Sequence, residues 1–295
     1  MAREIWAVLR QTIGEYLTDD VPRLAAALSY YTAFALAPLL VIVIAVAGLV
    51  FDSSRVRGEI LGQVALLLGQ GGADLVGVML EAAGRPHHSV VAVVAGVVTM
   101  VLAASGLFGE LQSALNVVWD VEARETGGFL GLLRRRFVSF AMVLGIGFLL
   151  LVSLVLSAGV SAFSKFAGQR LPGWDIALQA GNVILGFAFT TVLFALIYKV
   201  LPDVKLRWRD VWTEALLTAT LFSAGRLLIG LYLGRSSVSS AYGAAGSLAI
   251  VLLWVYYSSQ ILLLGAELAQ VRARRRGQRV PPKPGTDTLP AGVQP

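Results

Sequence analysis

Long apolar runs alternate along the chain with short polar segments, most of them basic. Six runs reach the length of about 20 apolar residues that a helix needs to cross a bilayer. They are 24–51, 89–108, 137–163, 176–201, 211–233 and 243–271. Each is continuously apolar rather than alternating, which argues against the strands of a membrane barrel. A helix satisfies its own backbone in hydrocarbon, so these runs predict six transmembrane helices. The first run carries no charge from Leu24 to Phe51 and would be about 42 Å long as a helix, so it must tilt or bend. Pro38 supplies a bend.

The segments between the runs carry patterns of their own. Residues 1–23 set Ile5, Trp6, Leu9, Ile13 and Leu17 at helical spacing, with Arg3, Arg10 and Glu15 between them. That pattern predicts an amphipathic helix lying in the membrane interface. The run behind it is too long for the core of a signal peptide. Residues 52–88 read as two short amphipathic helices broken at 69–72, a cap on the membrane surface. The second run continues into GELQSALNVVWDVEAR, where Leu111, Leu115 and Val118 keep one face and Gln112, Asn116 and Asp120 the other. Residues 272–295 start basic and then hold five prolines, so this tail is expected to be disordered.

Composition sharpens the class. The 295 residues are 57% hydrophobic and 14% charged, with mean hydropathy +0.75. Soluble domains sit near ~45–50% and ~25%, so the chain departs from them in both directions. A net charge of +6 would suggest nucleic acid in a soluble protein, but here its distribution explains it. Seventeen Lys and Arg fall in one alternating set of segments, which includes both ends, and six in the other. The positive-inside rule then places both termini in the cytoplasm, and no nucleic-acid partner is needed. Without cysteine there is no disulfide, thiolate metal site or cysteine nucleophile. His87 and His88 are neighbours and do not share a helix face, so they make no metal site. Phosphate-binding and nucleophile motifs are absent, and neither an enzyme nor a cofactor is expected.

Candidate chemistry therefore rests on charges inside or at the ends of runs. Arg226 lies within the fifth run, where a charge costs at least ~2.5–3.5 kcal/mol and normally meets a partner or a wet cavity. It either lines a polar pathway for an anionic group or anchors the helix structurally. Glu110, Glu214 and Glu267 fall near cytoplasmic ends of runs. They form either a proton or cation relay or partners for the basic segments 134–136 and 205–209, and the second reading is preferred. Tyr256, Gln260 and Glu267 follow at i, i+4 and i+11, one face of the sixth run.

Four stretches in order carry a family resemblance. They are AAALSYYTAFALAPLL at 25–40, LFGELQSALN at 107–116 with Trp119, YKVLPDVKLRWRDVWTEA at 198–215, and the block from Arg226 through YGAAGSLAIVLLWVYYSSQILLLGAEL at 242–268. The chain resembles the YihY/BrkB family of bacterial inner-membrane proteins, long mislabelled as ribonuclease BN. The resemblance covers nearly everything up to Val271. It implies an all-α, six-span protein of the inner membrane, in a family linked to virulence, envelope lipid handling and ion or solute movement. A metal-dependent nuclease needs clustered His and Asp ligands, which are missing. The expected function is transport of a lipid or another amphipathic anion, with the bilayer and its anionic lipids as partners. A scaffold for envelope proteins, a homo-oligomer, and a proton- or cation-coupled exchanger using Glu214 and Glu267 are the alternatives.

Overall fold

The computed structural model describes residues 2–47, 90–123, 174–235, 238–277, 280–282 and 286–288, with scattered positions between 54 and 81. The third expected span, the basic run 134–136, His87 and His88 lie outside the described residues.

Helices dominate: α1 (Ala2–Thr18), α2 (Val21–Ala47), α3 (Val90–Val118), α4 (Trp174–Val200), α5 (Trp208–Arg235) and α6 (Val238–Arg275). Five of the six apolar runs thus coincide with long helices. Two segments, Val183–Val200 in α4 and Leu248–Arg275 in α6, are long and apolar enough to cross a membrane by their described residues. At 27 and 29 residues, α2 and α3 are each about 40 Å or more in length.

Helix ends follow local chemistry. Pro22 sits in the first turn of α2, where its missing N–H costs nothing. Pro202 disfavours helical geometry at the residue before it, and α4 stops at Val200. Asp20 and Asp120 have φ of 51° and 48°, the left-handed region that aspartate tolerates better than most residues. They make the sharp turns after α1 and α3.

The amphipathic face of α1 points away from the other helices. Trp6 is 70% exposed, and Leu9, Ile13 and Leu17 share its exposed face, while Thr12 on the opposite side is buried. A helix with an unpartnered apolar stripe suits a bilayer surface. Its other face docks on α6, where Arg275 donates to Gln11 Oε1 at 2.8 Å and to the Ala7 carbonyl at 3.0 Å.

The main core joins α2 through α6 at the end of the bundle where α1 lies. Leu28, Phe108, Leu115, Phe194, Ala215 and Leu263 belong to it. Polar bonds lock the packing. Asp203 accepts from Gln112 Nε2 and Asn116 Nδ2, each at 3.0 Å, and its N–H donates to Asn116 Oδ1 at 2.9 Å. That bond set ties the polar face of α3 to the α4–α5 turn. Tyr198 donates to the Leu262 carbonyl at 2.7 Å and lies 3.0 Å from the Thr218 hydroxyl. Gly265 makes this close approach possible, since a Cβ there would collide with both hydroxyls.

Two segments differ from expectation. Between residues 57 and 81, Arg57 pairs with Glu81 at 3.3 Å and donates to the Gly77 carbonyl, folding the helical pieces back on each other. Val64 then packs on Ile250 and Val251 of α6, so this region leans along a membrane helix rather than only capping the surface. In the tail, strand β2 (Thr286–Thr288) pairs antiparallel with β1 (Val121–Ala123), with Val121 opposite Thr288. The Pro281 carbonyl also accepts from Lys205 N–H at 3.0 Å. A proline lacks a donor but keeps its acceptor, so a proline-rich segment can still dock. The expected disorder of 272–295 therefore does not extend to these positions.

Candidate functional site

Two polar assemblies share the α1 end of the bundle. The first is a cavity of about 380 Å³ between the α4–α5 turn, α5, the end of α6 and the tail. Lys205, Arg207, Arg272 and Arg276 give it four cations, against Asp210 and Glu214. Trp119, Leu206, Val211, Val280 and Pro281 make the rest of its wall apolar. Glu214 is 4% exposed and accepts from Arg272 Nη1 at 3.0 and 3.1 Å through both oxygens. Asp210 accepts from Arg207 Nε at 2.9 Å and Arg276 Nη1 at 3.3 Å. Each acid here is matched by at least one guanidinium, and the cavity keeps an excess of positive charge.

The second assembly lies where α1, the end of α3 and α6 meet. Glu267 is 0% exposed, and neither carboxyl oxygen has a donor. Gln270, one turn on, donates to Asp120 Oδ2 at 2.8 Å, while its own Oε1 has no donor either. Arg274, a further turn on, donates to Glu15 at 3.0 Å and to Asp120. Asp19 stands within hydrogen-bonding reach of Glu267, but two carboxylates offer acceptors only. Burial pushes the Asp19 carboxyl up to about 6. The contact with Glu267 and the Arg274 charge oppose that shift, and Asp120 and Glu15 reinforce it. Tyr16 is also raised, by burial first and then by Tyr256.

The residues singled out by sequence fall in different places. Glu214 belongs to the cavity and pairs with Arg272, a residue of α6 rather than of the 205–209 segment. Glu267 belongs to the acid junction. Tyr256 acts electrostatically on Tyr16 of α1 and Glu267 on Asp19 of the turn after it, and Gln260 is half-buried on the same helix. Glu110 is half-buried on α3 and does not line the cavity. Arg226 is exposed on α5, three turns or about 18 Å beyond Glu214, and lines neither assembly. The glutamates of α5 and α6 are brought to one end of the bundle, but into separate settings, and Arg226 does not join them.

Sequence reasoning missed Asp19, Asp120, Gln270, Arg272 and Arg274. For α6 a signal existed: continuing the stripe past Glu267 by i+3 and i+7 reaches Gln270 and Arg274. For Asp19 none did, because a turn aspartate reads as ordinary turn chemistry, while Asp120 reads only as part of the polar face that continues α3. Among the described residues no group of three acids or histidines is arranged to hold a metal ion.

A family model described as virulence factor BrkB matches residues 12–289. The chain belongs to the BrkB family. Among curated relatives, a UPF0761 membrane protein of Pseudomonas paraeruginosa is 28% identical over 257 residues, covering 86% of this chain and 59% of its own length. A UPF0761 membrane protein of Azotobacter vinelandii is 28% identical over 276 residues, covering 92% of this chain and 65% of its own length. One from Haemophilus influenzae is 26% identical over 252 residues, 85% of this chain and 89% of the relative. The chain thus spans about three fifths of the Pseudomonas relative and most of the Haemophilus one. No solved structure matches it. Family and helices agree that this is a membrane protein.

Proposed function

We propose that the protein transports a lipid or another amphipathic anion across the bacterial inner membrane, without covalent chemistry, and that the cavity is its cytoplasmic headgroup seat. The observation that carries this reading is the pairing of four cations with an apolar wall in one cavity of about 380 Å³. Arginine and lysine hold phosphate or carboxylate groups, and the apolar wall accepts the start of an acyl chain. The basic segments surrounding it suit anionic headgroups, and the exposed apolar stripe of α1 supports a position at the membrane interface. Arg226, exposed on α5, is assigned to the same lipid's path along the helix surface.

The test is transbilayer movement of labelled phospholipid in vesicles holding the purified protein. Lys205 and Arg276 avoid the buried ion pair, so Lys205→Ala with Arg276→Ala should leave the fold intact. Each cation is worth about 1 kcal/mol towards an anionic headgroup, so each loss should slow crossing about fivefold. Arg226→Ala should also slow it. Crossing at the wild-type rate in both variants would count against the reading.

A further inference from the structure

The acid junction has more acceptors than donors. Glu267 Oε1 and Oε2 and Gln270 Oε1 are buried without a hydrogen-bond donor. A buried carboxylate left in that state is expensive, and native proteins rarely keep one. Everything charged that faces it from α1 and α3 is acidic: Glu15 and Asp19 from α1 and its turn, and Asp120 from the end of α3. Arg274 on α6 is the cation that reaches the junction among the described residues, and it bonds to Glu15 and Asp120 rather than to Glu267. From α2 no charge is offered, since Arg23 is exposed and bonded to Asp20. From α5, Glu214 is taken up by Arg272.

What is missing is a donor between Asp19 and Glu267. We propose that Asp19 and Glu267 together bind one proton at neutral pH, forming a proton-binding site at the junction of α1, α3 and α6. One hydrogen converts an acceptor–acceptor contact into an O–H···O⁻ bond and halves the charge of the pair. The proton lies on neither residue alone, because the two carboxyls titrate as a unit. Its loss leaves two adjacent carboxylates with Glu15 and Asp120 close by, and their repulsion acts to separate α1 from α6. The site thus links the seating of α1 to proton occupancy. It goes beyond the lipid reading and does not depend on it.

Infrared difference spectroscopy of the full-length protein in vesicles tests this directly. The protonated carboxyl C=O band is distinct from carboxylate bands. One such band per molecule is expected at pH 7, shifted in D₂O, with a second added below about pH 6, where the pair takes up its second proton. Glu267→Gln removes the buried carboxyl and places an amide donor against Asp19, so it should abolish the pH 7 band. Asp19→Asn leaves Glu267 buried beside an amide oxygen that accepts its proton, so the band should persist at a shifted frequency. Glu110→Gln should leave it unchanged. No band at pH 7, a band that survives Glu267→Gln, or an unshifted band in Asp19→Asn overturns the proposal. So does a band that sodium removes and choline does not, which would assign the site to an alkali cation. Because the readout is a vibration and not flux, its failure is distinguishable from failure of lipid crossing.

Discussion

Glu214 and Glu267 look alike along the chain, each an acid near the same end of an apolar helix, yet their surroundings are opposite. Glu214 faces Arg272 with two bonds of 3.0 and 3.1 Å, inside a cavity of surplus positive charge. Glu267 faces Asp19 in a junction of surplus negative charge and has no donor. Arg272 and Arg274, two residues apart on α6, point to different assemblies, the first to Glu214 and the second to Glu15 and Asp120. One helix end thus holds an anion-favouring and a cation-favouring site side by side. A buried acid is stabilised either by a fixed cation or by a mobile proton, and this end of the bundle uses both.

The sharpest way to break the contrast is to remove the fixed cation. Arg272→Ala leaves Glu214 buried and unpaired, which should cost about 3–5 kcal/mol. Thermal unfolding in detergent should show a large fall in Tm. Adding Glu214→Gln should recover most of it, whereas the same change at Glu267 should cause no comparable fall, because that side chain has no cation to lose.

Gly265→Ala tests the packing that holds the two sites at fixed distance. Its methyl would strike the Tyr198 and Thr218 hydroxyls, and overpacking of this kind costs about 1–3 kcal/mol. Unfolding temperatures of the variant and wild type settle it, with an unchanged Tm telling against the close approach.

A smaller effect, of opposite sign, is expected at Asp19. Its carboxyl is raised from 3.8 to about 6, so the folded protein binds more protons than the unfolded chain between those values. Stability contributed by the protonated form is therefore present at low pH and lost as pH rises through about 6. Asp19→Asn should raise Tm above pH 6 and leave it nearly unchanged near pH 4, measured across that range. A gain at pH 4 alone would reverse the assignment.

Least of all should follow from Arg207→Ala. Arg207 is 66% exposed and its bond to Asp210 is a surface pair, while Arg276 remains on the same carboxylate. A change of about 0.2–1 kcal/mol, shrinking with added salt, is expected in the same unfolding assay.

Much of the fold was legible because its causes are local. Continuous apolar runs specify helices in lipid by hydropathy and by the need to satisfy each backbone group within its own segment. The spacing of Trp6, Leu9, Ile13 and Leu17 specifies which face of α1 is apolar, and Pro202 marks where α4 stops. The tail was misjudged where it docks, because Pro281 and Thr286–Thr288 pair with residues far away in the chain, at Lys205 and Val121–Ala123. The site was legible only as a set of unusual residues. Sequence alone determined that Glu214, Glu267 and Arg226 sit within or at the ends of apolar runs, because that is a property of their neighbours in the chain. Only the tertiary structure decided that Glu214 meets a guanidinium 58 positions on, that Glu267 meets an aspartate near the start of the chain, and that Arg226 meets neither assembly. The physical reason is that burial is written into a run of residues, whereas a partner for a buried charge comes from whichever helix packs alongside.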